Sequence, residues 1–132
     1  MLGAKILGAG AVLVASMGAL QAQSCSNPMD QSTMTRCAYE DWQAADVALN
    51  AMWKRAMAAA RGMDAYTPAG EATTSASLLA AQRTWITFRD QACLAESLLM
   101  RGGSAQPMLE YGCKARLTRA RTEDLRNFAD ML

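Results

Sequence analysis

The stretch from Leu78 to Cys93, LLAAQRTWITFRDQAC, limits the possible folds more than any other part of the chain. On a helix, Leu78, Ala81, Trp85, Phe88 and Ala92 fall on one side, flanked by Ile86 and Cys93. Arg83, Thr84, Thr87, Asp90 and Gln91 fall on the other, which is the three-and-four spacing of an amphipathic helix. Gln82 and Arg89 break the pattern by lying inside the apolar arc beside Trp85. A buried charge needs an anionic partner, and a guanidinium cannot escape by losing its proton. The rest of the chain must therefore pack around Trp85 and answer Arg89.

Two further helices are legible. Residues 32–61 contain no proline or glycine, and Ala38, Trp42, Ala45, Leu49, Trp53, Ala56 and Ala60 form one face. Asp46 lies at the edge of that face and Asn50 just beyond it. Gly62 marks the expected end. Residues 62–75, rich in Gly, Pro, Thr and Asp, read as a loop. The second helix begins at Thr74 or Ser75 and reaches about Met100, where Gly102-Gly103 stops it. Ser104 suits the cap of a third helix, with Pro107 in its first turn, running to about Asp130. Its expected face is Leu109, Cys113, Leu117, Ala120, Asp124 and Phe128, with Arg121 alongside. No strand alternation appears. The expected fold is all-α, a three-helix antiparallel bundle.

Arg89 has two candidate partners. Asp46 is the first, with Gln82 or Asn50 completing the hydrogen bonds, and Asp124 is the alternative. Stranding one member of a fully buried pair is expected to cost about 3–5 kcal/mol. Asp46, Asn50, Gln82, Trp85, Arg89 and Arg121 thus form an expected structural network rather than a reaction centre.

The N-terminus carries Lys5, then the uncharged run Ile6–Leu20, then small residues through Ala22. That order describes a cleaved signal peptide, residues 1–22, leaving one domain over 23–132. The leader holds one of the 13 basic residues and none of the 12 acidic ones, so the mature chain is neutral. A neutral surface argues against nucleic acid or an anionic membrane as the main partner. A periplasmic or secreted location follows, with no membrane attachment after cleavage.

Export gives the cysteines their meaning. Cys25, Cys37, Cys93 and Cys113 all follow the leader, and an even count in a small exported domain reads as two disulfides. Cys93 and Cys113 are equidistant from Gly103, so they lie level in an antiparallel helix pair. Cys25 and Cys37 flank a turn containing Pro28. The expected staples are Cys25–Cys37 and Cys93–Cys113.

Catalytic signals are absent. The chain has no histidine, no Cys-x-x-Cys and no Gly-rich phosphate loop. Its ten methionines are scattered, which suits core filling. No enzyme activity, cofactor or metal is expected.

An ordered set of residues resembles the LprI-type lysozyme-inhibitor family. The set comprises the Cys37 helix with Asp46, Leu49-Asn50 and Trp53; AAQRTWITFRDQAC, Ala80 to Cys93; and Gly102-Gly103-Ser104, Cys113, Thr118, Arg121 and Leu125. Trp53 stands where members often carry Tyr. The resemblance implies an exported helical domain that binds and blocks a lysozyme or another peptidoglycan-cleaving enzyme. The alternative is a non-inhibitory interaction module of the cell envelope. A protein partner is expected in either case. The 62–75 loop is the candidate contact, with Asp64, Tyr66, Thr67 and Glu71 as the side chains that could meet a partner.

Overall fold

The computed structural model describes residues 25–132, so the signal-peptide expectation for 1–22 lies outside the described residues. Among them, three helices carry the fold: α1 (Gln31–Met63), α2 (Thr74–Ser97) and α3 (Gln106–Met131). Consecutive helices run antiparallel, so α1 and α3 run parallel. Contacts from Gln31 to Met108, Asp41 to Arg119 and Arg55 to Asp130 keep nearly one sequence offset along their length. The α1–α3 interface is the most extensive, and α2 leans on α3 more than on α1.

The ends of the helices follow from local chemistry. Asp30 caps α1 by accepting the Thr33 N–H at 2.9 Å, one of the donors that a helix start leaves unpaired. Gly62 does not end α1 as expected. The helix continues to Met63 and tightens into a 3-10 turn over Asp64–Tyr66. There the Asp64 carboxylate turns away to accept the Ser75 N–H at 3.0 Å and the Ser75 hydroxyl. Thr73 caps α2 through the Ala76 N–H at 3.2 Å. Ser104 does not cap α3. Ala105 holds that position without a side-chain bond, and Pro107 sits in the first turn. The Gln106 side chain instead reaches back to accept the Gly102 N–H at 3.1 Å.

Both disulfides are formed as expected. Cys25–Cys37 has a Cα–Cα distance of 5.6 Å and Cys93–Cys113 one of 5.4 Å. They occupy the end of the bundle where α1 begins and α2 turns into α3. The apolar core occupies the other half: Leu49, Ala56, Met57, Ala60, Leu78 and Leu125, with Trp53, Trp85 and Phe128 packed against them. A small domain buries limited apolar area. Here covalent staples hold the half that the core does not fill.

The second and third helices are rotated from the faces that periodicity picks out. On α2 the buried residues are Leu78, Gln82, Arg89, Cys93 and Ser97. Trp85 and Ala92 are half-buried, Ala81 and Ile86 are exposed, and Phe88 is 60% exposed. The Cys93–Cys113 bond turns Cys93 toward α3, and Gln82, Arg89 and Ser97 share its row. On α3 the buried row is Cys113, Ala115, Thr118, Thr122 and Leu125, while Ala120 and Asp124 face solvent. The Thr122 hydroxyl satisfies itself by donating to the Thr118 carbonyl at 2.9 Å, which lets a polar residue line a buried seam.

Candidate functional site

Arg89 is the centre of the polar interior. Its side chain is only 8% exposed, and its Cζ lies 5.2 Å from the ring of Trp85 and 5.5 Å from that of Trp42. Two indoles, one from α1 and one from α2, thus hold the cation by its attraction to their π faces. Its Nε donates to Asp90 at 3.0 Å. Its terminal nitrogen Nη1 donates to the Thr118 hydroxyl at 3.5 Å and lies 3.7 Å from the Asp46 carboxylate.

Asp46 is therefore the α1 partner of Arg89, and the Asn50 amide donates to it at 3.2 Å. Gln82 does not join this pair. It accepts from Arg121 Nε at 2.9 Å, linking α2 to α3. Asp124, the alternative partner, is exposed. The sequence places Trp42 on an apolar face, Asp90 on a polar one and Thr118 in the family resemblance, but assigns none of the three to Arg89. The signal for Trp42 was its four-residue spacing from Asp46, which repeats the spacing of Trp85 and Arg89.

Trp42 also anchors an aromatic group between α1 and α3. It stacks on Tyr111 at 5.8 Å, Tyr39 meets both rings edge-on, and Lys114 Nζ lies 4.9 Å from the Trp42 ring. Lys114 is itself paired with Glu110 at 2.7 Å. Nearby, a shallow groove of about 440 Å³ runs between α1 and α3 over Ala44, Ala45, Ala48 and Ala120. Its rim residues Arg119 and Arg126 are engaged by Asp41 and Glu123.

This interior suits holding three helices together. The Asp46 carboxylate is occupied by Asn50 and Arg89. Cys25, Cys37 and Glu40 lie close together, but the two cysteines are a disulfide and offer no thiolate to a metal.

The loop residues divide. Asp64 is turned inward, and its hydrogen bonds from the hydroxyl and N–H of Ser75 hold its carboxyl below the usual carboxylate range. Tyr66 is 79% exposed, Thr67 is half-buried and Glu71 is exposed. The Glu71 N–H donates to the Pro68 carbonyl at 3.2 Å across a turn that places Gly70 at φ 85°. Glycine is the residue that adopts this φ without strain.

The family model for lysozyme inhibitor LprI matches residues 22–125. This chain belongs to the LprI family. The match takes in all of α1 and α2 and most of α3, together with every residue of the Arg89 network. An uncharacterized protein of Rhizobium meliloti (strain 1021) is 37% identical over 109 residues, covering 80% of this chain and 78% of its own length. No solved structure matches the chain. Of the described helices, none is long and apolar enough to cross a membrane.

Proposed function

We propose that this LprI-family domain is an exported, periplasmic or secreted inhibitor that binds and blocks a lysozyme or another peptidoglycan-cleaving enzyme. The family match over residues 22–125 is the observation that carries the proposal. The structure supports it in two ways. The polar interior is spent on the fold, leaving surface complementarity as the means of action. The two disulfides give the rigidity that keeps a binding surface from losing entropy when it docks. In this reading the domain acts by binding its target, without chemistry of its own.

The surface carries no acidic excess to steer it toward a cationic lysozyme, since residues 23–132 hold 12 basic and 12 acidic side chains. Contact must then come from shape and a few placed side chains. Each end of the bundle exposes a connection that can supply them: the loop from Asp64 to Glu71, with Tyr66 and Glu71 exposed and Thr67 half-buried, and the turn between α2 and α3.

The test is the lytic activity of chicken-type lysozyme, goose-type lysozyme and a bacterial lytic transglycosylase with and without the purified oxidised domain. Dose-dependent inhibition of at least one is expected. Binding to an envelope protein with all three activities untouched would favour the non-inhibitory interaction module.

A further inference from the structure

The stapled end of the bundle bears apolar side chains that the core does not use. Leu99 is 81% exposed, Met100 is half-exposed, and both lie on the connection between α2 and α3. That connection is rigidly built. Arg101 has φ −50° and ψ 123°, Gly102 has φ 75°, and the Gly103 N–H donates to the Met100 carbonyl at 2.9 Å. These values define a type II β-turn, whose third position calls for glycine. Arg101 occupies the outer corner. The Arg101 N–H donates to the Leu98 carbonyl at 3.1 Å and the Gln106 N–H to the Gly103 carbonyl at 3.2 Å. The Gly102 N–H is held by the Gln106 side chain. Just below the turn, the buried Cys93–Cys113 disulfide locks the two helices together.

Arg101 is exposed and has no ion-pair partner among the described residues. Its neighbours at this end differ: Arg116 is held by Glu96 at 2.7 Å and Lys114 by Glu110. A solvated connector has no need of two exposed apolar side chains beside an unpaired guanidinium on a pinned corner. A segment that enters a cleft does. Lysozymes and related glycosidases place two carboxyl groups at the floor of a cleft. A guanidinium matches a carboxylate with two parallel hydrogen bonds. Leu99 and Met100 would lie against the apolar walls beside it.

We infer that the α2–α3 turn, Leu99-Met100-Arg101, is the segment that enters the cleft of the target glycosidase, with Arg101 paired to its catalytic carboxylates. This rests on the inhibitor reading proposed above. The loop at the opposite end is the poorer match: its Asp64 is turned inward, and Glu71 would face carboxylates with like charge.

The test measures inhibition constants against the same three enzymes for the unaltered domain, Arg101→Glu, Arg101→Lys, Leu99→Ser and Tyr66→Ser, with circular dichroism confirming the fold of each. Arg101→Glu should raise the constant about thirtyfold or more, the loss expected on removing one member of a desolvated charge pair. Arg101→Lys and Leu99→Ser should each cost about three- to tenfold, and Tyr66→Ser less than about twofold. An oligosaccharide that fills the cleft should compete with the domain. If the unaltered domain inhibits while Arg101→Glu inhibits equally well, or Tyr66→Ser abolishes inhibition, the turn assignment is overturned and the inhibitor reading stands. If the unaltered domain inhibits none of the three, both fall.

Discussion

Replacing Arg89 with Met tests what holds the interior. The two indole faces at 5.2 and 5.5 Å each contribute about 0.5–2 kcal/mol to a cation that is largely desolvated. The Asp90 pair lies at the surface and contributes at most about 1 kcal/mol. Methionine fills much of the same slot and recovers about 0.3–1.5 kcal/mol from sulfur contacts with the rings. The net loss should be about 2 kcal/mol. Asp46 is a different case. Its side chain is 38% exposed and 3.7 Å from the guanidinium, so solvent screens the pair. Removing Asp46 leaves Arg89 its indoles and Asp90, and should cost about 1 kcal/mol or less. The structure thus lowers the 3–5 kcal/mol expected for a fully buried pair. Urea unfolding of Arg89→Met, Asp46→Leu and the double variant gives the coupling, which should stay below about 1 kcal/mol. A coupling of about 3 kcal/mol, or a neutral Arg89→Met, would refute the view that the indoles hold Arg89 more than Asp46 does.

Other outcomes follow from the same geometry. The Cys93–Cys113 bond is buried, with the two residues 0% and 3% exposed, so mild reductant should open Cys25–Cys37 first; peptide mapping of the alkylated protein reads the order. Loss of the 20-residue Cys93–Cys113 closure should cost about 3 kcal/mol in thermal or urea unfolding. Gly102→Ala forces φ 75° on a residue with a Cβ and should cost about 1–2 kcal/mol by the same assay. The hydroxyl of Ser32, followed by the N–H and hydroxyl of Thr33, draws the Asp30 carboxyl down to about 2 from 3.8; Asp64 is lowered as well, by Ser75. A depressed folded-state value means stability that is present above pH 3.8 and lost as pH falls through about 2. Asp30→Asn should therefore flatten the acid limb of the stability curve in that window.

Helix number, order and staples were all legible because each rests on local or near-local chemistry. Gly102-Gly103 fixes the turn, and equal distance from Gly103 makes Cys93 and Cys113 partners. The rotation of α2 and α3 was not legible. Periodicity finds an apolar side, but Phe88 and Ala120 show that the side facing a neighbour depends on which neighbour it is. Here the Cys93 bond to α3 sets that angle and draws Gln82 and Arg89 inside. Asp46 could be matched to Arg89 by charge. For Trp42 the four-residue spacing from Asp46 was a weak signal, because an indole is equally at home in a core, and only assembly of α1 and α2 brings its face to a guanidinium. Function was carried by no single residue. The ordered resemblance supplied the family, and the exposed turn at Arg101, which we infer enters the target, is marked in the sequence only by its glycines.

If the folded domain blocks a cell-wall hydrolase by occupying it, titrating a lysozyme that it inhibits with the oxidised domain shows this. Lytic rate should fall linearly to its floor at one domain per enzyme, return on dilution or on addition of cleft-filling oligosaccharide, and leave the domain's mass unchanged. Undiminished lysis with the domain in large excess over every hydrolase tried would mean that the domain does not inhibit.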